Sequence, residues 1–372
     1  MLLNKVLNTI HKPLTSVYES SVILKSLDKL IYFSILATFI LATFLSSDVV
    51  GYLCFITFLL TIVRVVTKPN DNFKCEKFEI FLLIYFMLSI VSVAGSTLLH
   101  LSLKGFFKTF IYLSYYLSVV HHLKDNKKHI MPILLCIAGC VTFESLIGLS
   151  QNFIQVGEIS GWQDTSRLNP EEVMTRVYGT SLIFIISLKY FWPTYKKIYF
   201  TVLSSVLSVC MLAIIGISSL RARVISIFAM RSDSSNSFRF NVYQAAIQMF
   251  KDNWPIGIGM GNQNFREIYG LYMKTGFDAL SAYNIYLETA VESGIFALLA
   301  FLGFLFTLVI DGAKYIYKSK NTNSVIFASV AFLSICGVMI HGMVDTVFFR
   351  PQIQITFWTM VAILSNRIYS EN

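Results

Sequence analysis

Long apolar runs recur along the whole chain, and they restrict what it can fold into. Each run is roughly 17 to 23 residues long, which as a helix is enough to cross a hydrocarbon layer of about 30 Å. Of the 372 residues, 55% are hydrophobic and 14% are charged, whereas soluble domains carry about 25% charged residues. The sequence therefore predicts an all-α, polytopic integral membrane protein whose main partner is the lipid bilayer.

We expect about ten transmembrane helices, connected on one side by a long loop. They are predicted at residues 31–46, 49–66, 79–96, 105–121, 130–150, 178–192, 198–218, 291–311, 323–341 and 354–368. Residues 1–30 form a basic, amphipathic N-terminus that is predicted to lie on the cytoplasmic surface. The remainder divides into helices 1–7 over residues 31–218, a polar loop over 219–290, and helices 8–10 with a short tail over 291–372.

Clusters of lysine and arginine set the expected orientation. They follow the second, fourth, sixth and eighth predicted helices, whereas the alternate loops are poor in lysine. Because cytoplasmic loops retain basic residues, both termini are predicted to be cytoplasmic, in an inner or plasma membrane. The loops 219–290 and 151–180 and the turn 341–352 then share the outer face, where one site can assemble.

The same clusters account for the formal net charge of +9, so nucleic-acid binding is not expected. His121, His122 and His129 lie in one of these clusters and are predicted to be solvated. The six cysteines have no metal-type spacing, and neither a metal nor a cofactor is expected.

Arginines are concentrated near the start of the long loop, as Arg221, Arg223, Arg231 and Arg239. Guanidinium groups bind phosphate and carboxylate bidentately, so these residues predict an anion pocket. The alternative is that they are solvated or contact lipid headgroups. Arg239 is predicted to lie at the N-terminal end of an amphipathic helix beginning at Phe240, whose free backbone amides would help to hold an anion.

Other ionisable residues lie at the ends of predicted helices. Glu288 and Glu292 are one helical turn apart, where they either favour the start of the eighth helix or form a paired-carboxylate acid–base site. His341 and Asp345 close the ninth helix, and Arg350 follows as a candidate partner of Asp345 at the interface.

Three glycines alternate in the stretch Gly257-x-Gly259-x-Gly261. A dinucleotide-binding loop requires the spacing GxGxxG after a strand, and neither feature is present. We interpret the stretch as a flexible turn that follows the amphipathic helix.

An ordered series of short motifs resembles one family of membrane proteins. The series comprises Arg239-Phe240-Asn241-Val242, Pro255-x-Gly257-x-Gly259-x-Gly261-Asn262, Tyr283-Asn284-x-Tyr286-Leu287-Glu288 and Glu292-x-Gly294. Over roughly residues 20–368 the chain resembles the O-antigen ligase/polymerase-like family. The stretches His341-Gly342-Met343-Val344-Asp345 and Arg350-Pro351-Gln352 are most similar to its cyanobacterial branch, which is labelled as bicarbonate (inorganic carbon) transporters.

The resemblance implies a membrane glycosyltransferase that moves a glycan from a polyprenyl diphosphate carrier to an acceptor on the outer face. The candidate catalytic residues are Arg239, Glu288 and His341, and the candidate substrate-binding residues are Arg221, Arg223, Arg231, Tyr283, Asn284 and Arg350. Arginines would hold the diphosphate, and Glu288 or His341 would take the proton of the acceptor hydroxyl. Two alternatives stay open: a transporter of bicarbonate or another anion, and an inactive, shortened relative.

Two departures from the family pattern bear on this chemistry. Family ligases usually have a histidine before the loop asparagine, thought to serve in acceptor activation, but Tyr283 occupies that position here. A phenol, with a usual pKa of about 10, is a poor base at neutral pH. Relatives also carry a further membrane segment with an Asn-Pro-Asn motif and a Ser-Arg-Gly-type arginine, whereas here residues 177–180 run directly into 181–192.

Overall fold

The computed structural model describes residues 17–68, 76–150 and 234–369, with a few isolated residues between 201 and 221. All regular structure in these residues is helical, and no strand occurs among them. The long helices are α1 (Leu27–Ala42), α2 (Ser47–Thr67), α3 (Lys77–Ala94), α4 (Leu99–Asp125), α5 (Ile130–Ser150), α6 (Ser234–Asn253), α7 (Asn262–Tyr269), α8 (Ile285–Lys318), α9 (Thr322–His341) and α10 (Pro351–Tyr369). Short helical turns occur at Val22–Lys25, Lys127–His129 and Val347–Phe349.

The helices confirm the all-α prediction and most of the predicted segments. The predicted helix at 178–192 lies outside the described residues, and only isolated residues cover the one at 198–218. Within the described part of the chain, five helices are long and apolar enough to cross a membrane: Ser47–Thr67, Lys77–Ala94, Lys127–Ile147, Ile285–Lys318 and Thr322–His341. This is a multi-pass membrane protein; the count of ten spans and the orientation of the termini stay predictions.

Helix α10 lies at the centre of the bundle. It packs against α4 and α9, while α8 packs along α3. Every residue from 357 to 368 is buried, as expected for a helix enclosed on all sides. Trp358 packs against Phe304 of α8 and its neighbour Phe357, with ring centroids 6.0 and 5.1 Å apart. Because lipid is as apolar as these side chains, van der Waals packing stabilises the bundle more than exclusion of water does.

A second apolar core belongs to residues 234–283, which we call the α6–α7 unit. Phe238, Val242 and Met249 from α6 pack with Phe265 and Tyr269 from α7. Val291 of α8 joins the same core. The described part of the long predicted loop is therefore a folded helical unit that rests on α8.

A buried ionic network joins three helices at the end of the bundle opposite the α6–α7 unit. Arg64 is only 1% exposed, and it donates to Asp28 and Asp125 at 2.5 Å each. Lys68 adds a bond of 3.0 Å to Asp125. Burial opposes the charge of Asp125, but the hydrogen bonds from Lys68 and Arg64 outweigh it and lower its pKa to about 2.

The prediction that the neighbouring histidines are solvated is wrong. His121 is 5% exposed and His122 is 0% exposed. The Nε2 atom of His122 lies 2.9 Å from Nδ1 of His129, and the ring of Tyr32 stacks on His129 with centroids 4.1 Å apart. The surrounding lysines obscured this packing, because a sequence cluster of basic residues does not reveal which side chains turn inward.

Replacing Arg64 with alanine is expected to lower the free energy of unfolding by about 2–4 kcal/mol, because two carboxylates lose their buried partner. The measurement is thermal stability of the purified protein in detergent at pH 7. The matched control is Arg266→Ala, which breaks an Arg–Asp pair whose side chains are 51% and 53% exposed, and little change is expected there. Equal losses for the two variants would contradict the assignment of the Arg64 network as a stabilising element.

Candidate active site

Helix α8 is interrupted at Gly294, where φ is 81°. Residues 254–261, the glycine segment, run beside this break. The Ile258 and Gly259 amides donate to the carbonyls of Val291 and Glu292 at 3.0 Å, and the Ile295 amide donates to Trp254 at 2.8 Å. The segment therefore satisfies backbone groups that the break leaves without helical partners.

The glycine segment is also held by the α3–α4 hairpin. Ser96 Oγ donates to the Ile258 carbonyl at 2.8 Å, and Ser102 Oγ accepts from the Met260 amide at 2.9 Å. Ser92 Oγ donates to the Glu292 carbonyl at 2.5 Å. These contacts join the α6–α7 unit to the helix bundle.

The stretch is a turn that follows α6, as predicted, but the prediction that it is flexible is wrong. Gly257, Gly259 and Gly261 have φ angles of 82°, 99° and 104°, a region that favours glycine. A Cβ on Gly259 would lie 2.5 Å from the hydroxyls of Ser96 and Ser102. The glycines are required by close packing and backbone conformation.

Helix α8 begins at Ile285, six residues before the predicted start. Asn284 is its N-cap, and its Oδ1 accepts from the Tyr286 and Leu287 amides at 2.9 Å each. Its Nδ2 donates to the Met343 carbonyl at 2.9 Å. Both polar groups of Asn284 are therefore engaged in fixing the α9–α10 loop to the start of α8.

Glu288 and Glu292 lie in the first turns of α8, which agrees with the prediction that they favour the start of this helix. Both are half-buried. Glu292 Oε1 accepts from the Gly261 amide at 2.9 Å, so it helps to hold the glycine segment. Tyr85 of α3 lies within electrostatic range of both carboxylates.

His341 lies at the end of α9, where its side chain is 53% exposed. Its Nε2 atom is 3.4 Å from Oδ2 of Asp345. The other carboxylate oxygen, Oδ1, accepts from the Thr346 amide at 2.8 Å, which orients the carboxylate. An accessible imidazole with an oriented carboxylate beside it is an arrangement suited to proton transfer.

Arg239 lies in the second turn of α6, because that helix begins at Ser234 and not at Phe240. The prediction that Arg239 stands at the helix terminus is therefore wrong, and the free amides there are not its neighbours. Arg239 is half-buried, and it lies one turn before Tyr243.

The hydroxyl of Tyr243 lies within electrostatic range of both Arg239 and Asp345 of the α9–α10 loop. It donates to the Tyr283 carbonyl at 3.1 Å. Burial raises the pKa of Tyr243, nearby Arg239 lowers it and Asp345 raises it, so both charges lie within electrostatic range of one hydroxyl. The structure thus brings Arg239 and the His341–Asp345 pair to one region. Sequence reasoning did not select Tyr243 as a site residue. The one feature that could have indicated it is its position four residues, about one helical turn, after Arg239.

Comparison with protein families adds one decisive observation. A family model described as O-antigen ligase matches residues 173–302. This segment is similar to the O-antigen ligase family, and we call it the O-antigen ligase domain. A search of curated proteins found no match.

The O-antigen ligase domain contains α6, α7, the glycine segment and the start of α8. Arg239 and Glu288 therefore lie inside the matched segment, whereas His341 and Arg350 lie outside it. The match does not separate the cyanobacterial branch from the rest of the family, so that assignment stays a prediction.

Tyr283, in the place where family ligases have histidine, is 4% exposed. Its ring packs edge-on against Phe238 with centroids 5.7 Å apart. Its φ of 49° is the one left-handed value of a non-glycine residue in the described part of the O-antigen ligase domain. Tyr283 thus has a clear packing role in this domain, and its role as a substrate-binding residue stays a prediction.

The remaining candidate residues are only partly described. Arg221 is exposed, and Arg223 and Arg231 lie outside the described residues. Arg350 is half-buried, and it lies within electrostatic range of Glu144 of α5. The four-arginine anion pocket therefore stays a prediction, with Arg239 as the member whose surroundings the structure defines.

Proposed function

We propose that this protein is a lipid-carrier-dependent glycosyltransferase of the O-antigen ligase type. It would move a glycan from a polyprenyl diphosphate donor to a hydroxyl acceptor on the outer face of the membrane. The observation that carries the proposal is the exposed His341–Asp345 pair beside Arg239 and Tyr243. The O-antigen ligase domain supports the reaction class.

In the proposed reaction, the acceptor hydroxyl oxygen attacks the anomeric carbon of the glycan. The bond between that carbon and the diphosphate oxygen breaks, and the diphosphate leaves with the bonding electron pair. His341 takes the hydroxyl proton on Nδ1, while Asp345 near Nε2 stabilises the resulting imidazolium.

Arg239 is proposed to stabilise the negative charge that develops on the leaving diphosphate. A guanidinium is always charged and binds two phosphate oxygens at once. Half-burial strengthens this effect, because a charge interaction is worth more where water is partly excluded. Tyr243 would then hold α6, which carries Arg239, to the backbone of Tyr283 next to the Asn284 cap.

Glu288 is the rival base within the same proposal. Its carboxylate is half-buried on α8, and the backbone before it is fixed by the Asn284 cap. A Glu288→Gln variant that loses transfer while His341→Asn retains it would assign the base to Glu288.

Replacing Arg239 with lysine is expected to lower transfer roughly ten- to a hundredfold, because lysine keeps the charge but cannot bind two oxygens in a fixed fork. The assay follows transfer of a labelled glycan from a synthetic polyprenyl diphosphate donor by the purified protein in lipid nanodiscs. Arg266→Lys is the matched control, since Arg266 is an exposed arginine of the same domain that pairs with Asp278.

Full activity of the Arg239→Lys variant would remove Arg239 from the anion site. No transfer by the parent protein from polyprenyl diphosphate glycans would contradict the proposed function and would favour an inactive relative.

A further inference from the structure

The part of α4 nearest the glycine segment carries an exposed basic face. His100, Lys104 and Lys108 are spaced four residues apart, so they lie on one side of the helix. All three are exposed. Leu103 and Phe107, which are 36% and 57% exposed, lie between them.

This face continues into the apolar zone of the bundle. Phe106 stacks on Phe86 of α3 with ring centroids 5.1 Å apart, so it lies at the level of that residue. Phe86 is eight residues before Ala94, the last residue of the membrane-spanning helix Lys77–Ala94, which corresponds to about 12 Å along a helix. Lys108, two residues beyond Phe106, is therefore at membrane depth.

Ionisable groups at membrane depth are costly unless they are paired or reach a polar region. In the described part of the chain, no carboxylate lies within ion-pair distance of His100, Lys104 or Lys108. Within the described residues nothing supplies the compensating charge, so it comes from another molecule or from the remainder of the chain, unless the side chains extend toward the lipid headgroups.

The neighbouring surface favours a lipid over a soluble anion. Met87 and Val91 of α3, the helix that Phe106 contacts, are 51% and 52% exposed, so α3 also presents apolar side chains on its surface. A soluble anion would gain nothing from this surface, whereas a lipid would place acyl chains on it and its phosphate at the lysines.

We propose that His100, Lys104 and Lys108 form a binding site for the phosphate headgroup of a membrane lipid. The lysines supply charge and hydrogen bonds to phosphate oxygens, the imidazole supplies a further polar contact, and Phe107 contacts the chains. None of these residues belongs to the proposed transfer site, so the lipid site does not depend on the transfer reaction.

The test is a lipid titration of the purified full-length protein, followed by native mass spectrometry. Phosphatidylglycerol is the anionic probe and phosphatidylcholine the zwitterionic one. The Lys104→Gln/Lys108→Gln variant is expected to bind phosphatidylglycerol about 25-fold more weakly than the parent, roughly fivefold for each lysine. Lys104→Arg/Lys108→Arg, which keeps both charges, is expected to bind like the parent.

Lys251→Ala is the matched control, because Lys251 is an exposed lysine on α6. Parent-like binding by the control supports the proposal, and a loss equal to that of the double variant overturns it as a general charge effect. Unchanged binding by the double variant also overturns it. Inorganic phosphate at millimolar concentration is expected not to displace phosphatidylglycerol, and full displacement would overturn the lipid assignment in favour of a soluble anion. If the double variant aggregates, Lys108→Gln alone is expected to weaken binding about fivefold.

Discussion

Replacing His341 with asparagine is expected to lower glycan transfer about a hundred- to ten-thousandfold, the range in which a general base contributes to catalysis. Asparagine keeps a polar side chain at an exposed position but cannot accept a proton. Folding should be unaffected, because the side chain is 53% exposed. The measurement is single-turnover transfer in nanodiscs, with the thermal unfolding midpoint of each variant measured in parallel.

Asp345→Asn is the companion variant. It retains the oxygen that accepts from the Thr346 amide but removes the charge that stabilises the imidazolium. A smaller loss than that of His341→Asn is expected, and it should fall on kcat more than on KM because the charge matters only once His341 is protonated. Unchanged transfer in His341→Asn would exclude His341 as the base and leave Glu288 as the candidate.

Gly105→Ala is expected to destabilise the fold by about 3 kcal/mol, near the upper end for an overpacked position. The added Cβ would lie 2.5 Å from the Met260 carbonyl oxygen and 2.6 Å from the Gly261 nitrogen. These are backbone atoms, so the clash cannot be relieved by rotating a side chain. The glycine segment would have to move away from α4, and transfer is expected to fall with it.

Gly139→Ala is the matched control for that variant. Gly139 is also a helical glycine, but a Cβ there would meet nothing within 4 Å. Alanine is the better helix former, so unchanged or slightly higher stability is expected. Equal thermal unfolding midpoints for the two variants would show that the contact between α4 and the glycine segment is not tight.

The sequence predicted the helices well because each apolar run is governed by local periodicity and length. The predictions from sequence failed where contacts between distant parts of the chain determine the structure. The start of α8 was placed at residue 291, but the Asn284 cap begins it at Ile285 and Gly294 interrupts it. In the sequence, a polar first helical turn followed by a glycine is typical of a connecting loop. The helix is recognised only when the glycine segment is seen to form backbone hydrogen bonds with residues 291 and 292.

In the candidate site, too, local features could be predicted from the sequence and long-range contacts could not. His341 and Asp345 are one helical turn apart, so their proximity follows from local sequence alone. The proximity of Arg239 to this pair does not, because it depends on how α6 packs against α8 and on the Tyr243 contact with the Tyr283 carbonyl. Nor could the sequence show that Ser96 and Ser102 would enclose Gly259 of a distant segment.

The contacts of the glycine segment also set an order on assembly during synthesis. The hydrogen bond between the Met260 amide and Ser102 and the one between Ser92 and the Glu292 carbonyl join residues 158 and 200 positions apart. The α3–α4 hairpin is therefore synthesised long before residues 258–292, which its serines contact in the folded protein. Until then, water or lipid headgroups must form hydrogen bonds with these serine hydroxyls. Such distant contacts form slowly. The contact between Gly105 and Gly261 forms only after residue 261 has been made, so the glycine segment joins parts of the chain that are made early and late.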